Sequence, residues 1–180
     1  MSLTAIDQLP DSSRVWCFGT DRPLSPQEAT RLRTAVERFL ESWAAHGVPL
    51  RTAMDWRRER FLVVAVDESA AGASGCSIDA LSRRLAELEN ELGVELRDGS
   101  PVWYLEGGEG GTVRRVSRQL FRDLAAAGEI DEGTIVFDLT AERLGDLRAG
   151  HLERPAGKSW HARLLAGPRP TPAGAPGAGS

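Results

Sequence analysis

The chain has 180 residues, room for one compact domain with a small appendage. With 41% hydrophobic and 27% charged residues and a net charge of −4, it reads as a globular protein. A dedicated nucleic-acid or acidic-lipid binder needs a net positive face, which this charge argues against. No apolar run reaches the ~18–20 residues that cross a bilayer. Met1–Arg14 lacks the basic start and apolar core of a secretory signal. Two cysteines form neither a disulfide framework nor a zinc spacing, so the expectation is a reduced, cytoplasmic protein.

Residues 1–13 are weakly periodic and are expected to be flexible. Val15–Thr20 is a short apolar run that suits a buried strand. Ser25, Pro26 and Glu28 supply an N-cap, a first-turn proline and a capping-box glutamate. Ala29, Leu32, Val36, Phe39, Leu40 and Trp43 follow at helical spacing, with Gly47 as the stop. Leu50–Trp56 and Arg60–Glu68 read as strands joined by a tight turn at Arg58 and Glu59, and the unbroken run Phe61–Val66 marks the second as central. A glycine-rich stretch, 70–76, leads into a helix with the stripe Ile78, Leu81, Leu85, Leu88 and Leu92 and a stop at Gly93. Val102–Leu105 is the next strand, and Thr112–Val116 pairs back on it across the turn Gly107–Gly111. Ser117 caps a third helix that ends near Gly128, Thr134–Phe137 is a short strand, and Thr140–Arg148 is a last helix. His151–Leu165 has no clear period. Residues 166–180 hold four Pro, four Gly and four Ala and no aliphatic side chain larger than Ala, so disorder is expected there.

Through Leu105 the order is β-α-β-β-α-β. The expected class is α+β: a ferredoxin-like split βαβ sandwich over 14–106, with a four-stranded antiparallel sheet and two helices on one face. A C-terminal hairpin and helix extension follows over 107–165. A different mixed sheet is the rival arrangement. Taking strands one and three as parallel neighbours collects Asp21 and Arg22, after the first, with Asp67, Glu68, Ser74 and Cys76, after the third, at one edge. His46 then lies at the far end of the first helix.

Several blocks together carry a resemblance: Arg14-Val-Trp16, Arg22-Pro-Leu24, Trp43-x-x-His46-Gly47-x-x-Leu50, and Arg60-Phe61 running to Val66-Asp-Glu68. They continue with Ala73-Ser-Gly-Cys-Ser-Ile-Asp79, Thr134-Ile-Val-Phe137 and Ser159-Trp-His-Ala-Arg163. Over residues 14–165 the chain resembles an uncharacterised family of small bacterial proteins of Bacteroidetes type, some of them labelled "ABC transporter ATPase". It departs from that pattern at Asp138, where asparagine is usual, and at Gly99-Ser-Pro101. The resemblance implies no activity. ATP hydrolysis is not supported, because Gly75 is followed by Cys76 and Ser77 and not by the lysine and hydroxyl of a phosphate-binding loop. The stretch from Val116 to Phe137 also distantly resembles the end of GYF-like interaction modules.

The loop Gly72-Ala-Ser-Gly-Cys-Ser77 follows a strand and opens a helix. Free amides and the helix dipole there suit an anion, which makes Gly72, Ser74, Gly75 and Ser77, with Arg22, the candidate ligand site. Cys76 is the candidate nucleophile, and His161, in the aperiodic segment, its candidate base. The plain alternative is that the glycines make a turn, Ser74 or Ser77 caps the helix, and Cys76 is a small buried hydrophobe. Cys17 reads as core. Arg57, Arg58 and Arg60 beside Trp56 read as a solvated turn. Histidines 46, 151 and 161 have no metal-ligand spacing with either cysteine, and no cofactor motif is present. The leading expectation is a small binding or regulatory protein that meets an anionic ligand or a protein partner at Gly72–Ser77. A thiol-dependent enzyme or redox sensor, and a module that homodimerises through an exposed sheet face, are the alternatives. Neither nucleic acid nor membrane is expected as a partner.

Overall fold

The computed structural model describes residues 4–69, 72–99 and 101–165. β1 (Arg14–Thr20) leads into α1 (Pro26–Ser42), a miniature hairpin of β2 (Ala44–Ala45) and β3 (Val48–Pro49), β4 (Arg51–Arg57), β5 (Phe61–Asp67), α2 (Gly75–Leu92) and β6 (Leu96–Arg97). The chain continues with β7 (Val102–Glu106), β8 (Thr112–Val116), α3 (Arg118–Ala126), β9 (Ile135–Phe137), α4 (Leu144–Arg148), β10 (Glu153–Pro155) and α5 (Ala162–Leu165). The longer pairings form two four-stranded antiparallel sheets, ordered β4-β5-β1-β6 and β10-β9-β7-β8.

Side-chain alternation along the strands builds the layers. Leu62, Val64 and Val66 of β5, with Trp16 and Phe18 of β1, face Leu32, Val36 and Leu40 of α1 and Leu81, Leu85 and Leu88 of α2. The opposite face carries Val15, Cys17, Phe61, Val63 and Ala65, which pack on Trp103, Leu105 and Phe137 of the second sheet. Val102, Tyr104 and Val136, on the far side of that sheet, meet Phe121 of α3 and Leu164 of α5. The order of layers is therefore helices, sheet, sheet, helices. Phe61 stacks on Phe137 at 4.5 Å between ring centroids and meets Trp103 edge-on at 6.0 Å. Gly19 admits this packing: a β-carbon there would lie 2.7 Å from the Trp103 ring. The Trp103 indole donates to the Thr20 carbonyl at 3.1 Å, so its one polar atom is satisfied in the core.

Local signals start the helices as the sequence suggests. Ser25 accepts from the Glu28 amide at 3.3 Å, and the Glu28 carboxylate accepts from the Ser25 amide at 2.8 Å. Ser74 and Ser117 cap α2 and α3 by one bond each, their side chains accepting from the Ser77 and Leu120 amides, and Gly93 ends α2 with φ of 61°.

Several expectations are corrected. β1 and β5 are antiparallel and not parallel, pairing Arg14 with Val66 and Gly19 with Phe61. The strand beginning at Val102 belongs to the second sheet, and the outer position beside β1 falls to the two-residue β6. His46 and Gly47, with φ of 50° and 79°, form the turn of the β2–β3 hairpin and not the end of α1. The last predicted helix begins at Leu144; Thr140 lies in a turn, and Ala141–Arg143 form a strap that returns to β1. In the N-terminal stretch, Leu9 is buried in the inter-sheet core and Arg148 donates to the carbonyls of Ile6, Asp7 and Leu9. The tail expected to be disordered, 166–180, lies outside the described residues.

Candidate functional site

The outer edge of β1 is covered in two pieces. Thr20 donates its amide to Arg60 at 2.9 Å, so the even-numbered residues of β1 bond toward β5 and the odd-numbered ones turn outward. At one end β6 takes the outward groups, with Gly19 opposite Arg97 and the Asp21 amide on Glu95 at 3.2 Å. At the other end the strap does so: the Val15 amide donates to Glu142 at 3.0 Å and the Leu144 amide to Ser13 at 2.9 Å. Between them the amide and carbonyl of Cys17 face outward with no backbone partner among the described residues.

A cleft of about 450 Å³ opens over this break, lined by Arg14–Phe18, Glu68, Asp98 and Leu139–Arg143. At one end the guanidinium groups of Arg14 and Arg143 converge on Glu68 at 3.9 and 3.8 Å, too far for hydrogen bonds. Arg14 also lies 4.8 Å over the Trp16 ring, and Arg143 donates to the Ser12 carbonyl at 2.8 Å. Asp98 stands at the other end, just past β6.

Glu68 links this cleft to the Gly72–Ser77 loop, accepting the Ala73 amide at 3.2 Å. Within the loop, Ser74 accepts from the Ser77 amide at 3.3 Å, and the buried Ser77 hydroxyl donates to the Ser74 carbonyl at 2.8 Å. Trp43 donates its indole N–H to the Ser77 carbonyl at 2.9 Å. These contacts use Ser74 and Ser77 to start α2 and to lock it on α1. Gly72 and Gly75 have room around them, the nearest atom to a β-carbon at Gly72 being Glu68 Oε1 at 3.9 Å.

The remaining sequence candidates are scattered. Because β1 and β5 run in opposite directions, Arg22 lies at the C-terminal end of α2, ~24 Å along the helix from Cys76. There it binds Glu28 with two hydrogen bonds, at 2.7 and 3.1 Å, and donates to the Leu92 carbonyl at 3.3 Å. The same reversal puts the end of α1, and with it His46, at the Cys76 end of the sheet. Cys76 is exposed and Cys17 is buried, the latter with its thiol pushed up to about 12 by burial. His161 sits in the opposite outer layer, 1% exposed, stacked on Trp160 at 3.9 Å and paired through Nδ1 with the Ser159 hydroxyl at 2.9 Å. Burial holds its pKa down at about 4. The structure does not bring His161 and Cys76 together.

Sequence reasoning missed a polar cluster at the end of β9. Asp138 is fully buried and accepts from the Thr140 hydroxyl at 2.6 Å, the Thr140 amide at 3.1 Å, and the Arg154 guanidinium. Burial raises its pKa, but the bonds from Thr140 and Arg154 outweigh that and hold the carboxyl below its usual range. His151 Nε2 lies 3.2 Å from both Arg154 and the Thr140 hydroxyl. A ring nitrogen accepting from Arg154 is not free to take a proton from Thr140, so the cluster joins β9 to β10 and makes no nucleophile. The spacing Asp138-x-Thr140 with His151-x-x-Arg154 was its only mark in the sequence.

Comparison with protein-family models, with curated proteins and with solved structures finds no match. Among the described residues, no helix is long and apolar enough to cross a membrane, and no group of three or more His, Cys, Asp or Glu is placed to hold a metal ion.

Proposed function

We propose that this is a cytoplasmic binding or regulatory protein whose site is the cleft along the outer edge of β1, and that it takes a small ligand bearing a carboxylate. One observation carries the reading: Arg14 and Arg143 converge on Glu68 at the mouth of the cleft, and Glu68 reaches neither within hydrogen-bond distance. A ligand carboxylate at that spot gains charge-assisted bonds that Glu68 does not make. The site adjoins the Gly72–Ser77 loop through Glu68, but its cations are Arg14 and Arg143 in place of Arg22.

The first sheet, with α1 and α2 on one face, supports a ferredoxin-like reading in which β6 is the fourth strand. We keep the resemblance to the small bacterial family as a proposal without an activity attached. Exposure of Cys76 favours the thiol-dependent alternative, but the described residues bring no hydrogen-bonded base to it. A dimer through an open sheet face has no support, since both faces of both sheets are packed among the described residues.

Titration of the full chain with acetate, followed by amide NMR, tests the reading. Signals from Val15 to Phe18 should move, and Arg14→Gln and Arg143→Gln should each weaken binding about tenfold. Arg22→Gln should leave it unchanged. Equal responses in all three variants would remove the cleft as the site.

A further inference from the structure

The outer surface of the first helix layer carries a groove along the seam between α1 and α2. It has a volume of about 600 Å³ and is lined by residues of α1 between Thr30 and Phe39 and by Arg84, Glu91 and Leu92 of α2. The two helices lie antiparallel: Trp43, after α1, bonds to Ser77 at the start of α2, and Arg22, before α1, bonds to Leu92 at its end. Ala35, Phe39 and Leu92 form the apolar floor, packed on the core beneath and half-buried. With only a methyl group at Ala35, the seam keeps its depth. The rim is basic, since three of the four charged residues that line the groove are arginines. Arg84 is bonded to Glu87 and Glu91 at 2.7 and 3.1 Å, so the charge offered outward is that of Arg31 and Arg38, both exposed. This is a local excess of positive charge on a chain whose net charge is −4.

We infer that this groove docks an acidic amphipathic helix of a partner protein. From Thr30 to Phe39 the groove runs ~14 Å along α1, about two and a half turns of a partner helix laid on the seam. Arg31 and Arg38 stand on one face of α1, ~10.5 Å apart, and two acidic residues at the same spacing on the partner repeat that distance. An apolar residue one turn after the first acid lies over Ala35, and its stripe continues onto Phe39 and Leu92. Burial of that stripe supplies the attraction, and the arginines exclude a basic helix and fix the register. A single acyl carboxylate meets only one of the two arginines. A second copy seated groove to groove sets like charges against each other. The surface goes beyond the proposed carboxylate site and does not rest on it, because the two share no lining residue.

The test uses the full ¹⁵N-labelled chain and two stapled helical peptides of about three turns. One carries a leucine stripe and two glutamates set two turns apart, and the other has lysines in place of the glutamates. The glutamate peptide should shift the amides of Ala35, Phe39 and Leu92, and the lysine peptide should bind at least tenfold more weakly. Arg31→Glu combined with Arg38→Glu should reverse that preference. Ala35→Met, which fills the seam and keeps both arginines, should weaken the glutamate peptide at least tenfold. Arg33→Glu, on α1 but outside the groove, should leave its binding unchanged. Amide spectra that match the parent away from the groove show that each variant is folded. No shift at the groove amides, or a loss in Arg33→Glu as large as in the double variant, would overturn the proposal. Laurate that moves those amides where the glutamate peptide does not would also overturn it, in favour of an acyl anion. So would a dimer in sedimentation that Ala35→Met dissociates, which assigns the groove to a second copy.

Discussion

Gly19 sets the spacing between the two sheets. Its hydrogen occupies the place where a β-carbon would meet Trp103 at 2.7 Å, and the neighbouring Thr20 carbonyl holds the indole N–H. Gly19→Ala should therefore cost about 1–3 kcal/mol in denaturant melts, by overpacking a rigid ring against backbone. A variant as stable as the parent would show that the ring moves aside freely. The cysteines separate as cleanly: Cys76 should be alkylated in the native protein and Cys17 only on unfolding. Cys76→Ser should abolish the native reaction, and modification that survives this change would mean that Cys17 is reached. The burial of Cys17 is legible in the apolar run that holds it. The exposure of Cys76 is not: its neighbours are small, and only the packing of the helix start decides which way it faces.

Among the elements, α1 and α2 were readable because their instructions are local. A cap, a first-turn proline or a terminal glycine acts within a few residues, and the apolar stripe repeats at the helical period. Ser25→Ala should cost ~1 kcal/mol in thermal or urea melts, since it orphans the Glu28 amide of the capping box. The β4–β5 turn offers a gain in the other direction. Arg58 and Glu59 hold φ of 52° and 54°, where side chains other than glycine or asparagine are strained. Glu59→Gly should raise stability by roughly 0.5–1 kcal/mol, the relief of backbone strain exceeding the added freedom of the unfolded chain. An unchanged or lower melting temperature would count against strain at that turn. β6 and β10 were not readable, because segments of two and three residues carry no period. They are strands only because β1 and β9 lie beside them.

At the scale of the whole molecule, two buried groups make stability depend on pH in separate windows. His161 titrates near 4 in the folded protein against 6.5 for the ordinary side chain, so between those values the unfolded chain binds the extra proton. Stability should fall as pH drops from about 6.5 to about 4, by an amount on the order of 3 kcal/mol. His161→Gln should flatten this part of the melting-temperature profile, and an unchanged slope would assign the loss elsewhere. Asp138 acts lower. Its folded carboxyl titrates below the usual range, so its contribution is complete above ~pH 4 and is lost as pH falls through the folded value. Asp138→Ala leaves Arg154 without its buried partner and should cost about 3–5 kcal/mol at neutral pH. A neutral effect in melts would show that water replaces the carboxylate.

The sequence alone determined the α+β class, the two long helices with their caps, and most of the longer strands, since each depends on residues a few positions apart. It also marked Gly72–Ser77 as a loop opening a helix. Tertiary structure decided how the strands pair, and with that what meets what. The antiparallel run of β1 beside β5 sent Arg22 to the far end from Cys76 and brought Glu68 to Arg14. The return of Leu139–Arg143 to the edge of β1 then added Arg143, and no local pattern specifies a contact between residues 14 and 143. Strand pairing is settled by which faces can be buried together across the whole chain. A cleft made from an unfilled stretch of that pairing exists only once the fold does.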